Sequence, residues 1–339
     1  MTNDVFAEII AFVPKLAPFL TDPDVTDIMV NPDGGVYTTR EGVKRREECV
    51  IPSIDLEPAV QIIARGRGED VGEHRPTLET RLDDGSRIAA AFPPVSVGGI
   101  LFSIRRFPRR YTTRELVDRG MLIESDLEVL AEEIQARRNI MISGSTGTGK
   151  TTLLNTLTEF IPASERLIVI EDTAEIWLEG KENVGRLEAR RQYGKNEAVT
   201  IRDCLRHTLR HCPDRIFVGE VRGPEAHDLL EAWNTGHSGS MSTIHADTAE
   251  RSLYKLANAA LQAGIIRDVQ LVRALIADCL DTVVHIRRDE EGRRHVEQIL
   301  RVAGYDEHEG RFQFEPLMAR KGPGHVLAFA ANVQIAGKV

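Results

Sequence analysis

The chain has 339 residues, 42% of them hydrophobic, and a formal net charge of −9, enough length for two domains that each bury a core. The acidic balance argues against a surface built as a whole for nucleic acid, and four cysteines at no metal-ligand or disulfide-like spacing point to a reduced cytosolic interior. No apolar run approaches the roughly 18 residues of a membrane span, and residues 1–20 carry acidic residues and prolines where a signal peptide needs an unbroken apolar stretch, so neither export by that route nor a membrane crossing is expected.

Residues 5–12 have a weak helical pattern, and 26–31 read as an apolar strand closed by the turn Asn31-Pro32-Asp33-Gly34-Gly35. Short strands are expected at 36–40 and 43–47. A helix over 54–65 carries Leu56, Val60, Ile63 and Ala64 on one face and is ended by Gly66 and Gly68. A hairpin over 78–92 that turns at Asp83-Asp84-Gly85-Ser86, and a strand over 100–107, complete a mixed α+β region, 1–107. Its end is basic, with Arg105, Arg106, Arg109 and Arg110. Such a run is either a solvated face or a device in which Arg105 or Arg106 points back toward a bound triphosphate. Pro108 and the polar residues through Thr113 mark 108–119 as a linker.

The second region, 120–318, opens on Ser125-Asp126-Leu127-Glu128, read as a capping box for a helix that buries Leu127, Leu130 and Ile134. A strand at 139–143 then runs into Gly144-Ser145-Thr146-Gly147-Thr148-Gly149-Lys150-Thr151, a complete phosphate-loop pattern, and a helix over 149–161 stopped by Pro162. The chemistry needs these types in these places. Glycines let successive backbone N–H groups turn inward around an anion, the helix aims its positive end at the same point, the lysine reaches the β- and γ-phosphates and the Thr151 hydroxyl meets Mg²⁺. Residues 144–151 with Thr152 are therefore the candidate ATP-binding set.

Further along, Leu167-Ile168-Val169-Ile170 is a continuous apolar strand whose end carries Glu171, Asp172 and Glu175; in an open α/β sheet ligands collect beyond such carboxyl ends. Thr200 caps a helix with Ile201, Cys204, Leu205, Thr208, Leu209 and Cys212 on one face and Arg202, Arg206 and Arg210 in a row on another, suited to a subunit interface or to solvent. His207 and His211 stand four apart but have no third metal ligand. Ile216-Phe217-Val218-Gly219-Glu220 is a second buried strand ending in an acid, placed to orient a water or to meet Mg²⁺ through water. A helix at 224–233 and a strand at 241–244 follow, and His245 ends that strand, open to γ-phosphate sensing or structural support. Helices at 249–263 and 269–280, a hairpin of 282–288 with 296–302, a β-like stretch at 311–317 and a tail, 319–339, close the chain.

In their order, four marks resemble the traffic ATPases of type II and type IV secretion: the phosphate loop, the acidic box Ile170-Glu171-Asp172-Thr173-Ala174-Glu175, the acidic strand 215–223, and the histidine box from Thr235-Gly236-His237 to Thr243-Ile244-His245-Ala246. In the first region Asp84-Gly85-Ser86-Arg87, Pro93-Pro94 and Ile104-Arg105-Arg106-Phe107 look like that family's amino-terminal domain. Ala232-Trp233-Asn234-Thr235-Gly236-His237, Arg293-Arg294, Glu297-Gln298-Ile299-Leu300 and Gly304-Tyr305 are most similar to the TrbB conjugal-transfer ATPases. Arg186-Leu187-Glu188-Ala189-Arg190, Gly144-Ser145 and Ser238-Gly239-Ser240-Met241-Ser242-Thr243 lean toward the pilus-assembly branch.

The resemblance implies a RecA-like α/β phosphate-loop ATPase domain with a smaller mixed α+β amino-terminal domain, nucleotide between the two, and subunits assembled as a homohexamer. ATP and Mg²⁺ are the expected cofactors, and inner-membrane secretion or pilus components the expected partners, without stable nucleic-acid binding. The location implied is cytoplasmic, peripheral to the inner membrane. Lys150 would hold phosphates, Thr151 with Glu171 or Asp172 would arrange Mg²⁺, and Glu220 would position the attacking water. Glu175 and His245 join the catalytic set, Arg105 or Arg106 would respond to γ-phosphate, and Arg210 and Arg222 are candidates for contacts across a subunit boundary. A nucleotide-gated scaffold and a nucleic-acid translocase are the rival classes.

Overall fold

The computed structural model describes residues 5–40, 42–82, 84–106, 111–178, 180–190 and 197–318. Expectations for Asp83, residues 107–110 (Arg109 and Arg110 among them) and the tail 319–339 lie outside the described residues.

In the first domain α1 (Val5–Phe12), a 3-10 turn (Pro14–Leu16) and α2 (Ala17–Thr21) lead into β1 (Val25–Val30), β2 (Gly35–Arg40) and β3 (Val43–Val50). Then come α3 (Ser53–Gly66), β4 (Thr77–Arg81), β5 (Arg87–Ala91) and β6 (Leu101–Arg105). The strands form one antiparallel sheet in the order β3-β2-β1-β6-β5-β4. Alternation decides its two faces. Ile28, Val36, Ile88, Phe102 and Ile104 point to one side and are buried with Ile9, Leu56, Val60 and Ile63 of the helices. The register stands Arg81, Arg87, Arg105 and Asp27 side by side on the other face, at the end of the sheet nearest the second domain.

The second domain holds α4 (Thr113–Asp118), α5 (Glu124–Gln135), β7 (Ile140–Gly144), α6 (Lys150–Leu157), β8 (Leu167–Glu171), β9 (Val184–Glu188), α7 (Ile201–Thr208) and β10 (Arg215–Val221). It continues through α8 (Glu225–Asn234), β11 (Met241–His245), α9 (Ala249–Leu261), α10 (Val269–Cys279), β12 (Thr282–Arg288), β13 (Arg294–Asp306) and β14 (Arg311–Pro316). Its eight strands are ordered β14-β13-β12-β7-β11-β10-β8-β9, parallel from β12 to β9 and antiparallel at β13 and β14. Helices cover both faces: Met141, Ile168 and Val218 pack with residues of α7 to α10, and Ile140, Ile142 and Val169 with residues of α4 to α6. Strands buried on both sides must be apolar throughout, which is why β7, β8 and β10 read as unbroken apolar runs.

The fold is α/β, as expected, with four local departures. The segment read as a linker contains α4, because the Thr112 hydroxyl accepts from the Glu115 N–H while the Glu115 carboxylate accepts from that of Thr112. Helix α5 begins at Glu124, one residue before the expected capping serine; the buried Asp126 carboxylate takes the Ile123 N–H at 3.4 Å, and Leu127 is only half-buried. Helix α7 stops at Thr208, and Cys212, at φ 50°, turns left-handed before Pro213. Leu209 and Cys212 are therefore exposed and do not join the core face with Cys204. Strand β9 was not expected: its alternating half-exposed pattern belongs to the sheet edge.

Candidate active site

Strand β7 delivers the phosphate loop to the middle of the eight-stranded sheet, and α6 starts at Lys150 with its amino end on the loop. Lys150 is buried; its Nζ donates to the carbonyls of Gly144 and Ser145, each at 3.1 Å, and lies 3.0 Å from Nδ1 of His245. Burial lowers the Lys150 pKa to about 8, against the opposing pull of the Glu220 charge.

Sheet order supplies the neighbours. Strand β11 lies against β7 with His245 level with Gly144, and β10 lies beyond β11 with Glu220 near its end. The far nitrogen of His245, Nε2, is 2.9 Å from Glu220 Oε1. The pair is not aligned as a hydrogen bond, so Oε1 is a buried carboxylate oxygen without a hydrogen-bond partner among the described residues. The other oxygen accepts from Arg222 at 2.7 Å, and Arg222 also reaches Asp172 at 3.6 Å. Burial, then the Lys150 charge, lowers the His245 pKa and favours the neutral ring.

The acidic box behaves differently at each carboxylate. Glu171 is buried, and its Oε1 accepts from the backbone N–H groups of Glu175 (2.8 Å) and Ile176 (2.9 Å); burial raises its pKa to about 7. That side chain folds back onto its own loop. Glu175 pairs with Arg87 of the first domain at 3.0 Å, and Asp172 is exposed beside Arg222. Arg81 adds a second link between the domains, to Glu188 at 2.8 Å and to the Ala174 carbonyl.

A cleft of about 580 Å³ opens where the two domains meet the loop, lined by Thr26, Arg106, Tyr111, Met121, Gly149 and Thr152 among others. The phosphate loop thus continues into space large enough for a base and ribose. Ser145, Thr146 and Gly147 form the exposed rim of the loop, Thr148 is buried beneath them, and Thr151 is half-buried on α6. Arg106 faces the cleft but its guanidinium is held by the carbonyls of Asp22 and Val25. Arg105 is largely exposed and pairs with Asp27 at 2.9 Å.

Outside the site, Arg202 and Arg206 both pair with Asp228 of α8, at 2.5 and 2.8 Å, while Arg210 is exposed. The rings of His207 and His211 meet edge to face at 4.7 Å. No group of three or more His, Cys, Asp or Glu side chains able to hold a metal occurs among the described residues. Two residues that reach the site, Arg81 and Arg288, had no role in the sequence reading; neither lies in a recognisable motif. Arg87 was legible only as part of Asp84-Gly85-Ser86-Arg87.

The family model described as type II/IV secretion system protein matches residues 20–313. The chain belongs to that family. Among individual relatives, it is 34% identical over 296 residues to the conjugal transfer protein TrbB of Rhizobium radiobacter, covering 86% of this chain and 88% of that one. It is 32% identical over 321 residues to the type IV secretion system protein VirB11 of Brucella suis, covering 84% and 87% of the two. The solved structure of the ATPase DotB from Legionella pneumophila superposes with a TM-score of 0.59 at 20% identity, covering 88% of this chain and 82% of that one, a likeness of fold. This member of the family is a RecA-like ATPase of the type IV secretion class. No helix among its described residues is long and apolar enough to cross a membrane.

Proposed function

We propose that this chain hydrolyses ATP as a homohexameric motor at the cytoplasmic face of the inner membrane and powers a conjugal type IV secretion apparatus. The observation that carries the hydrolytic reading is Oε1 of Glu220, buried beside the phosphate loop without an aligned hydrogen bond among the described residues, 2.9 Å from the imidazole ring that separates it from Lys150. A water-positioning base needs a carboxylate oxygen that is shielded and has acceptor capacity left for the water. The phosphate loop and Lys150 bind the triphosphate, Glu220 orients the water, His245 holds the lysine and the glutamate in register, and Glu175 waits on the loop tied to Arg87.

The donor chemistry suits Mg²⁺: the Thr151 hydroxyl on α6 and the Asp172 carboxylate, exposed beside Arg222, would be hard oxygen ligands, with ATP oxygens and water completing such a shell. When bound, the ion supplies charge neutralisation on the phosphates. Glu171 serves by shaping the acidic-box loop, since its Oε1 is occupied by two backbone N–H groups. The conjugal branch rests on likeness to TrbB along most of both chains. The test is Mg²⁺-dependent phosphate release by the purified protein together with its size in solution with and without ATP. Turnover and a ring of six are expected; nucleotide binding without turnover would leave only a gated scaffold, and stimulation by DNA with salt-sensitive binding would favour a translocase.

A further inference from the structure

Arg288, the last residue of β12, is threaded between two glycine turns that belong to different domains. Its Nη1 donates to the carbonyl of Gly42, in the turn between β2 and β3, at 3.2 Å, and its Nη2 donates to the carbonyl of Gly147 in the phosphate loop at 2.5 Å. Both glycines are at positive φ, 80° and 71°. A Cβ on Gly42 would lie 2.4 Å from Nη2 of Arg288, and one on Gly147 2.8 Å from the same atom. The absence of two side chains therefore makes room for one guanidinium.

We infer that Arg288 is a positioning residue that ties the phosphate loop to the first domain and sets the orientation of the Gly147–Thr148 peptide. A carbonyl and the following N–H point in opposite directions across one planar peptide. Holding the Gly147 carbonyl outward on Arg288 turns the Thr148 N–H into the loop, where it lies 3.4 Å from the Ser145 carbonyl that Lys150 also contacts. An anion cradle works only when its N–H groups face inward. The guanidinium suits the task because its planar fork reaches two carbonyls at once, which an ammonium on a flexible stem does not reproduce. Movement of the turn between β2 and β3 then moves the donor that orders the loop, so the position of the first domain reads out as affinity for triphosphate.

This inference rests on the ATPase reading of the loop, and the experiment separates the two. In the full-length protein, Arg288→Ala and the milder Arg288→Gln are expected to raise the KM for ATP and the Kd of a non-hydrolysable analogue about tenfold, the loss expected of a charge-assisted hydrogen bond, with kcat changed less than about twofold. Arg288→Lys should recover only part of the affinity. Gly42→Ala, remote from the phosphates, should reproduce the Arg288→Ala effect and add nothing to it in the double variant. Unchanged KM and Kd in folded Arg288→Gln, or losses from Gly42→Ala and Arg288→Ala that multiply, would overturn the inference. Intact nucleotide binding in Lys150→Ala would instead overturn the loop reading itself.

Discussion

Lys150 and His245 meet at 3.0 Å through Nζ and Nδ1, and the opposite edge of the same imidazole ring stands 2.9 Å from Glu220. The phosphate-binding cation and the candidate base are thus separated by a single neutral ring. When Lys150 turns toward a triphosphate, the ring loses a donor on one side while it still faces Glu220 on the other.

Replacing the carboxylate that faces this ring tests the base directly. Glu220→Gln keeps the shape and the Arg222 contact but removes most of the basicity, so ATP analogue affinity should stay within about threefold while phosphate release falls at least about a hundredfold. Turnover near the wild-type rate would remove Glu220 from the reaction.

The depressed Lys150 pKa gives a pH signature to binding. In the free protein the amine is charged below its pKa of about 8 and neutral above it, whereas a bound triphosphate favours the ammonium form. Binding should therefore take up almost no proton at pH 7 and approach one proton above pH 8, with affinity weakening by up to about tenfold per unit beyond that point. Calorimetry in two buffers of different ionisation heat measures the uptake. Its absence at pH 9 would show that Lys150 stays charged without ligand.

Glu171 predicts an effect on stability. Its folded-state pKa, about 7, is raised above the ordinary 4.5, so the folded chain holds that proton more tightly than the unfolded chain does. The contribution is full below pH 4.5, is lost as pH rises to 7, and amounts to on the order of 3 kcal/mol. Glu171→Gln retains an acceptor for the N–H groups of Glu175 and Ile176 and cannot ionise. Denaturant unfolding of the two proteins from pH 4.5 to 8 should show the variant gaining on the wild type as pH rises; parallel curves would place the Glu171 pKa at its ordinary value.

Arg87 and Glu175 are each about one-third exposed, 34% on both side chains, so their ion pair should contribute less than about 1 kcal/mol to global stability. Its weight is local, because it is one of two first-domain arginines holding the loop after β8. Arg87→Ala is expected to leave Tm within about 2 °C while hydrogen exchange of residues 172–176 speeds up. Unchanged exchange there would show that the loop is ordered without Arg87.

The phosphate loop, the apolar strands and the acids at their ends were legible because each is written in contiguous residues: an anion cradle needs its glycines, lysine and threonine in one run, and a doubly covered strand needs an unbroken apolar run. Boundaries fared worse where a short-range alternative competed. Asp126 displaced Ser125 as the carboxylate or hydroxyl that caps α5, and α7 stopped at Thr208, before its apolar spacing did. Helix α4 was hidden in the polar stretch 108–119, read as a linker, where its capping pair, Thr112 and Glu115, went unread.

By itself, then, the chain of residues determined an α/β nucleotide-binding fold and which side chains could carry its chemistry, since those properties follow from local spacing. Only the tertiary structure decided who meets whom. The order β7-β11-β10 slots His245 between Lys150 and Glu220, and the packing of the two domains brings Gly42 within reach of Arg288 and Arg87 within reach of Glu175. Strand order and domain packing are settled by burial of apolar surface over the whole chain, and no short window of residues encodes that sum.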